Sequence, residues 1–137
     1  SCKYAIRAVL YLAVYANVDN KLGVTDIAEA LEVPKHFLAK ILQQLSRDHL
    51  IMSVKGPNGG FYLDEENTNL PLYDIVKSID GTEAFNSCIL GLPVCSSENP
   101  CPLHVQAFSF RDGLLYQLEN QSIEEMATRI ERKNLKI

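Results

Sequence analysis

The sequence lacks a long uninterrupted apolar run, an excess of basic residues, and large amounts of glycine or proline. The most apolar stretch, residues 4–16, is interrupted by Arg7 and is shorter than the roughly 20 residues that a membrane-spanning helix needs. With seven Gly and six Pro in 137 residues, and 47% hydrophobic and 22% charged residues, the composition is not that of a disordered or fibrous chain. We therefore expect a globular fold with its own core and no membrane segment.

Features of a secreted protein are also missing. No small-residue cleavage site follows a basic start and an apolar segment near residue 1, so we expect a cytoplasmic protein. In a reducing compartment, clustered cysteines bind metal or perform redox chemistry more often than they form structural disulfides. This expectation applies to three of the four cysteines, because Cys88, Cys95 and Cys101 lie close together while Cys2 stands apart as an incidental thiol.

The net charge of −4 argues at first against a nucleic-acid partner. The charge is divided unevenly, however. Residues 1–63 hold seven Lys or Arg against five Asp or Glu, whereas residues 64–137 hold six against twelve. Any surface that faces a polyanion is therefore expected in the first half of the chain.

The first half has the pattern of a helix-turn-helix. Residues 4–17 carry apolar side chains around most of the helical circumference, which predicts a central, buried helix. Thr25 stands where the N-cap of a second helix, residues 26–31, is expected. Pro34 suits the start of a third helix that runs to about residue 49, with apolar residues at helical spacing. The short turn between the second and third helices completes the motif.

A β-hairpin is predicted next. Residues 50–54 and 61–63 have the composition of short strands, and residues 55–60 between them include three glycines, a proline and an asparagine. A helix-turn-helix followed by a hairpin is a winged helix. The predicted fold class is therefore mainly α with a small β-hairpin, namely a winged helix-turn-helix plus a long dimerisation helix.

A long helix follows a loop in the second half. Residues 72–79 predict a helix that ends at Gly81, and residues 82–101 predict a loop whose length is unusual without a function. A helix over 102–118 carries two apolar stripes, one with Phe110 and Leu114 and one with Phe108 and Leu115. A domain this small can cover one stripe, and we interpret the stripe left uncovered as a homodimer contact. Ser122 and Glu125 have capping-box spacing and predict a final short helix.

A DNA-binding helix-turn-helix places the N-terminal residues of its second helix in the major groove. Lys40 and Gln43 are the residues best placed for base contacts, while Lys55 and the glycine-rich tip suit phosphate or minor-groove contacts. The complete set of expected DNA-binding residues is Thr25, Lys35, His36, Lys40, Gln43, Lys55, Asn58, Gly59 and Gly60. Winged helices also bind proteins, and this alternative stays open.

The remaining chemistry lies in the pattern C-x6-C-x5-C-x2-H, formed by Cys88, Cys95, Cys101 and His104. Three thiolates and an imidazole suit zinc or an iron–sulfur cluster. Structural zinc sites favour C-x2–4-C pairs, and none occurs here, so the wider spacing favours the cluster. We accordingly divide the chain into a DNA-binding winged helix-turn-helix at 1–81, a cysteine-containing sensor loop at 82–101, and a dimerisation helix plus a C-terminal helix packing on the N-terminal domain at 102–137.

Several segments together carry a resemblance to a known family. They are residues 4–8 (YAIRA), 24–28 (VTDIA), the apolar spacing of 37–45, the wing 56–63 (GPNGGFYL) and the three clustered cysteines. Over essentially the whole chain they resemble the Rrf2 family of bacterial winged-helix transcription regulators, of the IscR and NsrR type. The resemblance implies a homodimer joined through helix 102–118 that binds a partly palindromic double-stranded DNA site.

The resemblance also implies a cofactor. A cluster in each subunit would be bound by Cys88, Cys95 and Cys101, and His104 matches the histidine that some relatives use as the fourth ligand. We favour [2Fe–2S], with [4Fe–4S] as the alternative. The state of that cluster would gate DNA affinity in response to redox conditions, nitric oxide or iron–sulfur status. The alternatives are a zinc-stabilised regulator and a thiol sensor that switches by disulfide formation. An enzyme that uses Cys101 and His104 is disfavoured, because no orienting acid lies nearby in the sequence.

Overall fold

The computed structural model describes the backbone of residues 2–81 and 104–137, and the side chains of residues 2–81 and 109–137. In these residues seven helices and one two-stranded antiparallel sheet follow each other in the order α1 (Cys2–Tyr15), α2 (Val24–Leu31), α3 (Lys35–Arg47), β1 (Met52–Val54), β2 (Gly60–Tyr62), α4 (Glu65–Thr68), α5 (Leu72–Asp80), α6 (His104–Asn120) and α7 (Ile123–Lys133). The predicted fold class, mainly helical with a small hairpin, is confirmed.

Helix α1 lies at the centre of the core, as its apolar circumference predicted. Ala5, Ala8, Val9 and Leu12 are fully buried, and α1 packs against α2, α3, α5 and α7. The other helices add fully buried residues to the same cluster: Ile27, Leu38, Leu42, Leu45, Ile75 and Ile123. Burying one such side chain contributes about 1.5–3 kcal/mol. The N-terminal helices and α7 therefore share one core.

The start of α2 differs from the prediction. Gly23, and not Thr25, is the N-cap, with an extended backbone at φ −82° and ψ 166°. The Gly23 N–H donates to the carboxylate of Asp26 at 3.2 Å, and the Ile27 N–H donates to the Gly23 carbonyl at 3.1 Å. An acidic residue at the third helical position thus caps the helix without a hydroxyl. Thr25 is an exposed residue inside the first turn.

The turn between α2 and α3 is tight because Glu32 adopts a left-handed conformation, at φ 58° and ψ 46°. This bend lets the Val33 N–H donate to the carbonyl of Ala28 at 3.1 Å. Pro34 is extended and forms the N-cap of α3. Helix α3 ends before the predicted residue 49, because His49 has a positive φ of 60° and the Leu50 N–H turns back to the Leu45 carbonyl.

The hairpin pairs Met52 with Tyr62 and Val54 with Gly60. The loop after α1 adds to this sheet: Leu22 exchanges two backbone hydrogen bonds with Phe61, at 2.7 and 3.0 Å. The Lys21 ammonium also lies 5.7 Å from the centre of the Tyr62 ring. The hairpin is therefore held on one side by the α1–α2 loop and is not a free extension.

Helix α4 was not predicted. It is a single turn begun by Asp64, whose side chain accepts the Asn67 N–H at 2.8 Å while the Asn67 side-chain oxygen accepts the Asp64 N–H at 3.1 Å. Asn67 is buried and donates from its amide to the His49 carbonyl at 3.2 Å. This buried amide joins α4 to the chain just after the end of α3.

The C-terminal helices follow the predicted order with shifted bounds. Helix α6 extends to Asn120, beyond the predicted residue 118, and packs against α5. Helix α7 begins as predicted, with the Ser122 hydroxyl accepting the Glu125 N–H at 3.1 Å. It packs against α1, where Ile123 and Ala127 are buried. Helix α5 ends at Asp80 and is capped by Gly81, as predicted.

Candidate nucleic-acid interface

One face of α3 is polar and exposed along its whole length. Lys35, His36, Lys40 and Gln43 are exposed, whereas Leu38, Ile41, Leu42 and Leu45 are buried. This division follows from helical spacing, since residues three or four apart share a face. The four exposed residues are among those that the sequence predicts to contact DNA.

Phe37 belongs to the apolar spacing of residues 37–45, which predicts that it packs inward, but its side chain is only partly covered. Its side chain is 37% exposed, and its ring meets the ring of Tyr4 edge-on, with the centroids 5.4 Å apart. Phe37 therefore lies at the border between the core and the exposed face of α3, next to Lys35 and His36.

The wing presents Lys55 and Asn58 to solvent, while Gly59 and Gly60 are half-buried. The two glycines are required by the fold. A Cβ on Gly59 would overlap the carbonyl oxygen of Val54, and Gly60 has a φ of 148° and would place a Cβ 2.8 Å from the Leu22 carbonyl oxygen. The glycines thus shape the wing, whether or not their backbone also approaches DNA.

A cleft of 450 Å³ separates α3 from the wing. Polar and cationic side chains line most of it: Gln43, Ser46, Arg47, Ser53 and Lys55, with Phe61 as the apolar member. Sequence reasoning missed Arg47, Ser46 and Ser53. Helical spacing would have indicated Arg47, because it follows Lys40 by seven residues and Gln43 by four on the same helix.

The charges of this surface are of one sign. Lys35, Lys40, Arg47 and Lys55 are all exposed on α3 and the wing, although the whole chain is acidic. Cationic side chains beside exposed amides and hydroxyls can neutralise phosphates and contact base edges. We call the exposed face of α3, the cleft and the wing the candidate interface.

The far end of α3 is attached to α5. The carboxylate of Asp48 accepts hydrogen bonds from the Ser78 hydroxyl and from the Gln44 amide, the second at 3.0 Å. These two bonds, the one from Ser78 first, lower the pKa of Asp48 below its ordinary value of 3.8. An ionised Asp48 therefore ties the C-terminal end of α3 to the helix that precedes the cysteine-containing segment.

Comparison with known proteins identifies the family of this chain. The family model named Rrf2, described as that of an iron-dependent transcriptional regulator, matches residues 1–129. The chain belongs to the Rrf2 family. It is a transcription regulator of the DNA-binding helix-turn-helix class and not an enzyme, as expected.

Two curated relatives are similar to this chain over most of its length. A protein of Aquifex aeolicus named as an HTH-type transcriptional regulator is 32% identical over 135 residues, which cover 97% of this chain and 92% of the relative. IscR of Yersinia pseudotuberculosis, also an HTH-type transcriptional regulator, is 25% identical and covers 93% of this chain and 82% of its own length.

Solved structures share the winged-helix fold of this Rrf2 protein. IscR of T. potens superposes with a TM-score of 0.73 at 19% identity, covering 98% of this chain and 88% of its own. CymR of B. subtilis, described as the global cysteine regulator, superposes with a TM-score of 0.71 at 21% identity and covers 93% of each chain. At these identities the likeness concerns the fold.

The predicted cluster ligands of this Rrf2 protein lie mostly outside the described residues. Cys88, Cys95 and Cys101 are not described, and His104 is described only by its backbone, as the first residue of α6. Among the side chains that the structure does describe, no group of three or more His, Cys, Asp or Glu could hold a metal ion. The ligand set therefore stays a prediction.

Cys2 lies at the start of α1, beside Asp80 at the end of α5. Partial burial of the thiol, followed by its hydrogen bond with the Asp80 carboxylate, raises the pKa of Cys2. A raised pKa disfavours the thiolate, which is the form that binds metals and attacks disulfides. These surroundings agree with the interpretation of Cys2 as an incidental thiol.

Helix α6 keeps an apolar face in solvent. Phe110 is 72% exposed and Leu114 is 43% exposed, whereas Leu118, one turn further along the same predicted stripe, packs against the core.

The described part of the chain contains no helix that is long and apolar enough to cross a membrane.

Proposed function

We propose that this Rrf2 protein binds a partly palindromic double-stranded DNA site as a homodimer, and that an iron–sulfur cluster in each subunit gates its affinity for that site. The observation that carries the DNA-binding part is the candidate interface, where four cations occupy α3 and the wing of an otherwise acidic chain. In the proposed complex α3 enters the major groove, with Lys40 and Gln43 at the bases. The remaining DNA contacts are made by Thr25, Lys35, His36, Lys55, Asn58, Gly59 and Gly60.

The dimer would form through α6. Its exposed Phe110 and Leu114 are large apolar side chains on one stripe, and packing them against a second copy would remove both from water. Dimerisation also suits a weakly charged surface. Few phosphate contacts per subunit mean weak non-specific binding, so two linked subunits and base contacts must supply the affinity. A regulator of this kind would act in the bacterial cytoplasm.

The cluster would be held by Cys88, Cys95, Cys101 and His104, within a chain divided into a DNA-binding part at 1–81, a sensor loop at 82–101 and a dimerisation part at 102–137. Thiolates and imidazole together are the donors that iron–sulfur clusters accept, and the cluster would supply a redox-sensitive and nitric-oxide-sensitive group. The description of the family and the IscR relatives support this proposal. A [2Fe–2S] cluster is our first choice, with [4Fe–4S] as the other possibility.

A thiol switch without a cluster is the second candidate. Its support is the structural likeness to CymR, of which one similar structure, from Staphylococcus aureus, is described as an oxidised form. In this case two of the clustered cysteines would form a disulfide on oxidation. A zinc-stabilised regulator without sensing is a further outcome that the same donors allow.

Anaerobic purification, absorption spectroscopy and analysis of iron, acid-labile sulfide and zinc separate these candidates. The proposal predicts a coloured protein that contains iron and sulfide in equal amounts. The Cys95→Ser variant should lose both, whereas the matched control Cys2→Ser should keep both. A colourless protein that contains zinc, or one that loses two hydrogens in mass on oxidation and regains them with reductant, would overturn the cluster and favour the corresponding alternative.

A further inference from the structure

The YAIRA segment of α1 contains an arginine whose head group is shared between two distant main-chain oxygens. The Arg7 Nη2 donates to the carbonyl oxygen of Leu31 at 3.1 Å, and its Nε donates to a main-chain oxygen of Ile137, also at 3.1 Å. Arg7 itself is half-buried. Hydrogen bonds from a charged donor are stronger than those between neutral groups, and the planar guanidinium gives them a fixed direction.

The Leu31 carbonyl marks the end of α2. The last carbonyls of a helix have no partner within the helix, and a cation at that end also interacts favourably with the helix dipole. Glu32 follows at once in its left-handed conformation and turns the chain toward α3. Arg7 thus holds the point at which the helix-turn-helix bends.

Tyr4 holds the other side of the same turn. It precedes Arg7 by three residues, so both side chains lie on one face of α1. The Tyr4 ring meets Phe37 edge-on at 5.4 Å, and the Arg7 guanidinium lies 6.0 Å from the centre of the Tyr4 ring. Phe37 is the third residue of α3, so one cluster on α1 contacts both helices that flank the turn.

This cluster contacts the first turn of α3, the helix that enters the major groove in the proposed complex and carries Lys40 and Gln43 further along. Lys35 and His36 share the first turn of α3 with Phe37, and both are exposed. In a helix-turn-helix the first turn of the second helix contacts base edges, so a small rotation there displaces base contacts more than it displaces contacts to the flexible phosphate backbone.

We propose that Arg7 and Tyr4 are positioning residues for sequence discrimination, which set the angle between α2 and α3 without touching DNA. This inference rests on the proposed DNA-binding function. It assigns a role to a segment that neither the cofactor nor the candidate interface uses.

The test compares the preference of the protein for one DNA sequence with its affinity for DNA of any sequence. A duplex is first enriched by the wild-type protein from a randomised pool, and a scrambled duplex of the same composition serves as the non-specific probe. The variants are Arg7→Ala, Arg7→Lys and the control Arg132→Ala, which removes the same charge from an exposed position on α7. For each variant the dissociation constants for both duplexes, the salt dependence and the melting temperature are measured.

We expect the dissociation constant for the scrambled duplex divided by that for the enriched duplex to fall about a hundredfold in Arg7→Ala, because the proposed dimer would displace one base contact, typically worth about tenfold, in each of its two subunits. Arg7→Lys should lose discrimination too, because an ammonium lacks the planar fork. Affinity for the scrambled duplex and the salt slope should stay at the wild-type values, and Arg132→Ala should behave as wild type. If Arg7→Ala is unfolded at the assay temperature, Tyr4→Leu replaces it with the same expected result.

Two results would overturn the inference while leaving the proposed function standing. One is unchanged discrimination with a lower melting temperature, which would make Arg7 a stabilising residue alone. The other is an equal loss on both duplexes with a shallower salt slope, which would make it a phosphate contact. If the wild-type protein enriches no duplex from the pool, the proposed function fails and the inference fails with it.

Discussion

Lys55 offers a quantitative test of the candidate interface. It is exposed at the start of the wing and lines the cleft opposite Gln43 and Arg47. A lysine that neutralises one phosphate contributes about 0.9 to the slope of log affinity against log salt. The proposed dimer carries two copies of Lys55, so Lys55→Ala should make the slope shallower by about 1.8. At 0.1 M salt the same variant should bind DNA about 60-fold more weakly, with the difference vanishing toward 1 M.

Fluorescence anisotropy with a labelled duplex, repeated from about 0.05 to 0.3 M salt, measures this slope. The matched control is Lys133→Ala, which removes one exposed positive charge from α7, outside the candidate interface. Its slope should equal that of wild type. An unchanged slope in Lys55→Ala would exclude the proposed phosphate contact. An equal change in Lys133→Ala would exclude it too, because the effect would then reflect net charge.

The remaining predictions concern stability, pH and assembly. Leu42→Ala removes a fully buried side chain of α3 and should lower the free energy of unfolding by about 2–5 kcal/mol, measured by urea denaturation; a loss well under 1 kcal/mol would contradict the described core. The lowered pKa of Asp48 means that its ionised form stabilises the fold above pH 3.8 and that this contribution disappears as the pH falls further, so the stability difference between wild type and Asp48→Asn should shrink in acid. Phe110→Glu should yield monomers in sedimentation experiments with an unchanged helical signal, and a persisting dimer would place the interface elsewhere.

The helices were predictable from their periodic apolar residues, and the wing was predictable from its glycines. The apolar residues of α3 recur at three- and four-residue intervals, so its buried and exposed faces follow directly from the sequence. The glycines of the wing announce a turn because other residues would clash at Gly59 and be strained at Gly60. Ser122 and Glu125 likewise carry a recognisable cap.

Other features depended on contacts that local patterns do not contain. Thr25 has the residue type of an N-cap, but the aspartate that follows it reaches back to Gly23 and fixes an earlier start of α2. Helix α4 is one turn long, too short to show an apolar period in the sequence. It is held in place by a buried asparagine that donates to the His49 carbonyl. The approach of Arg7 to Leu31 joins residues far apart in the chain and could not be inferred from spacing.

The central claim is that the state of the cluster controls DNA affinity. The most direct test measures the dissociation constant of the wild-type protein for its enriched duplex in two anaerobic preparations, one with the cluster and one after removal of iron. We expect the two values to differ by a factor of about 5 to 150, the usual range of coupling between two sites, and Cys95→Ser to give the cluster-free value in both preparations. Equal affinity in the two wild-type preparations would contradict the central claim.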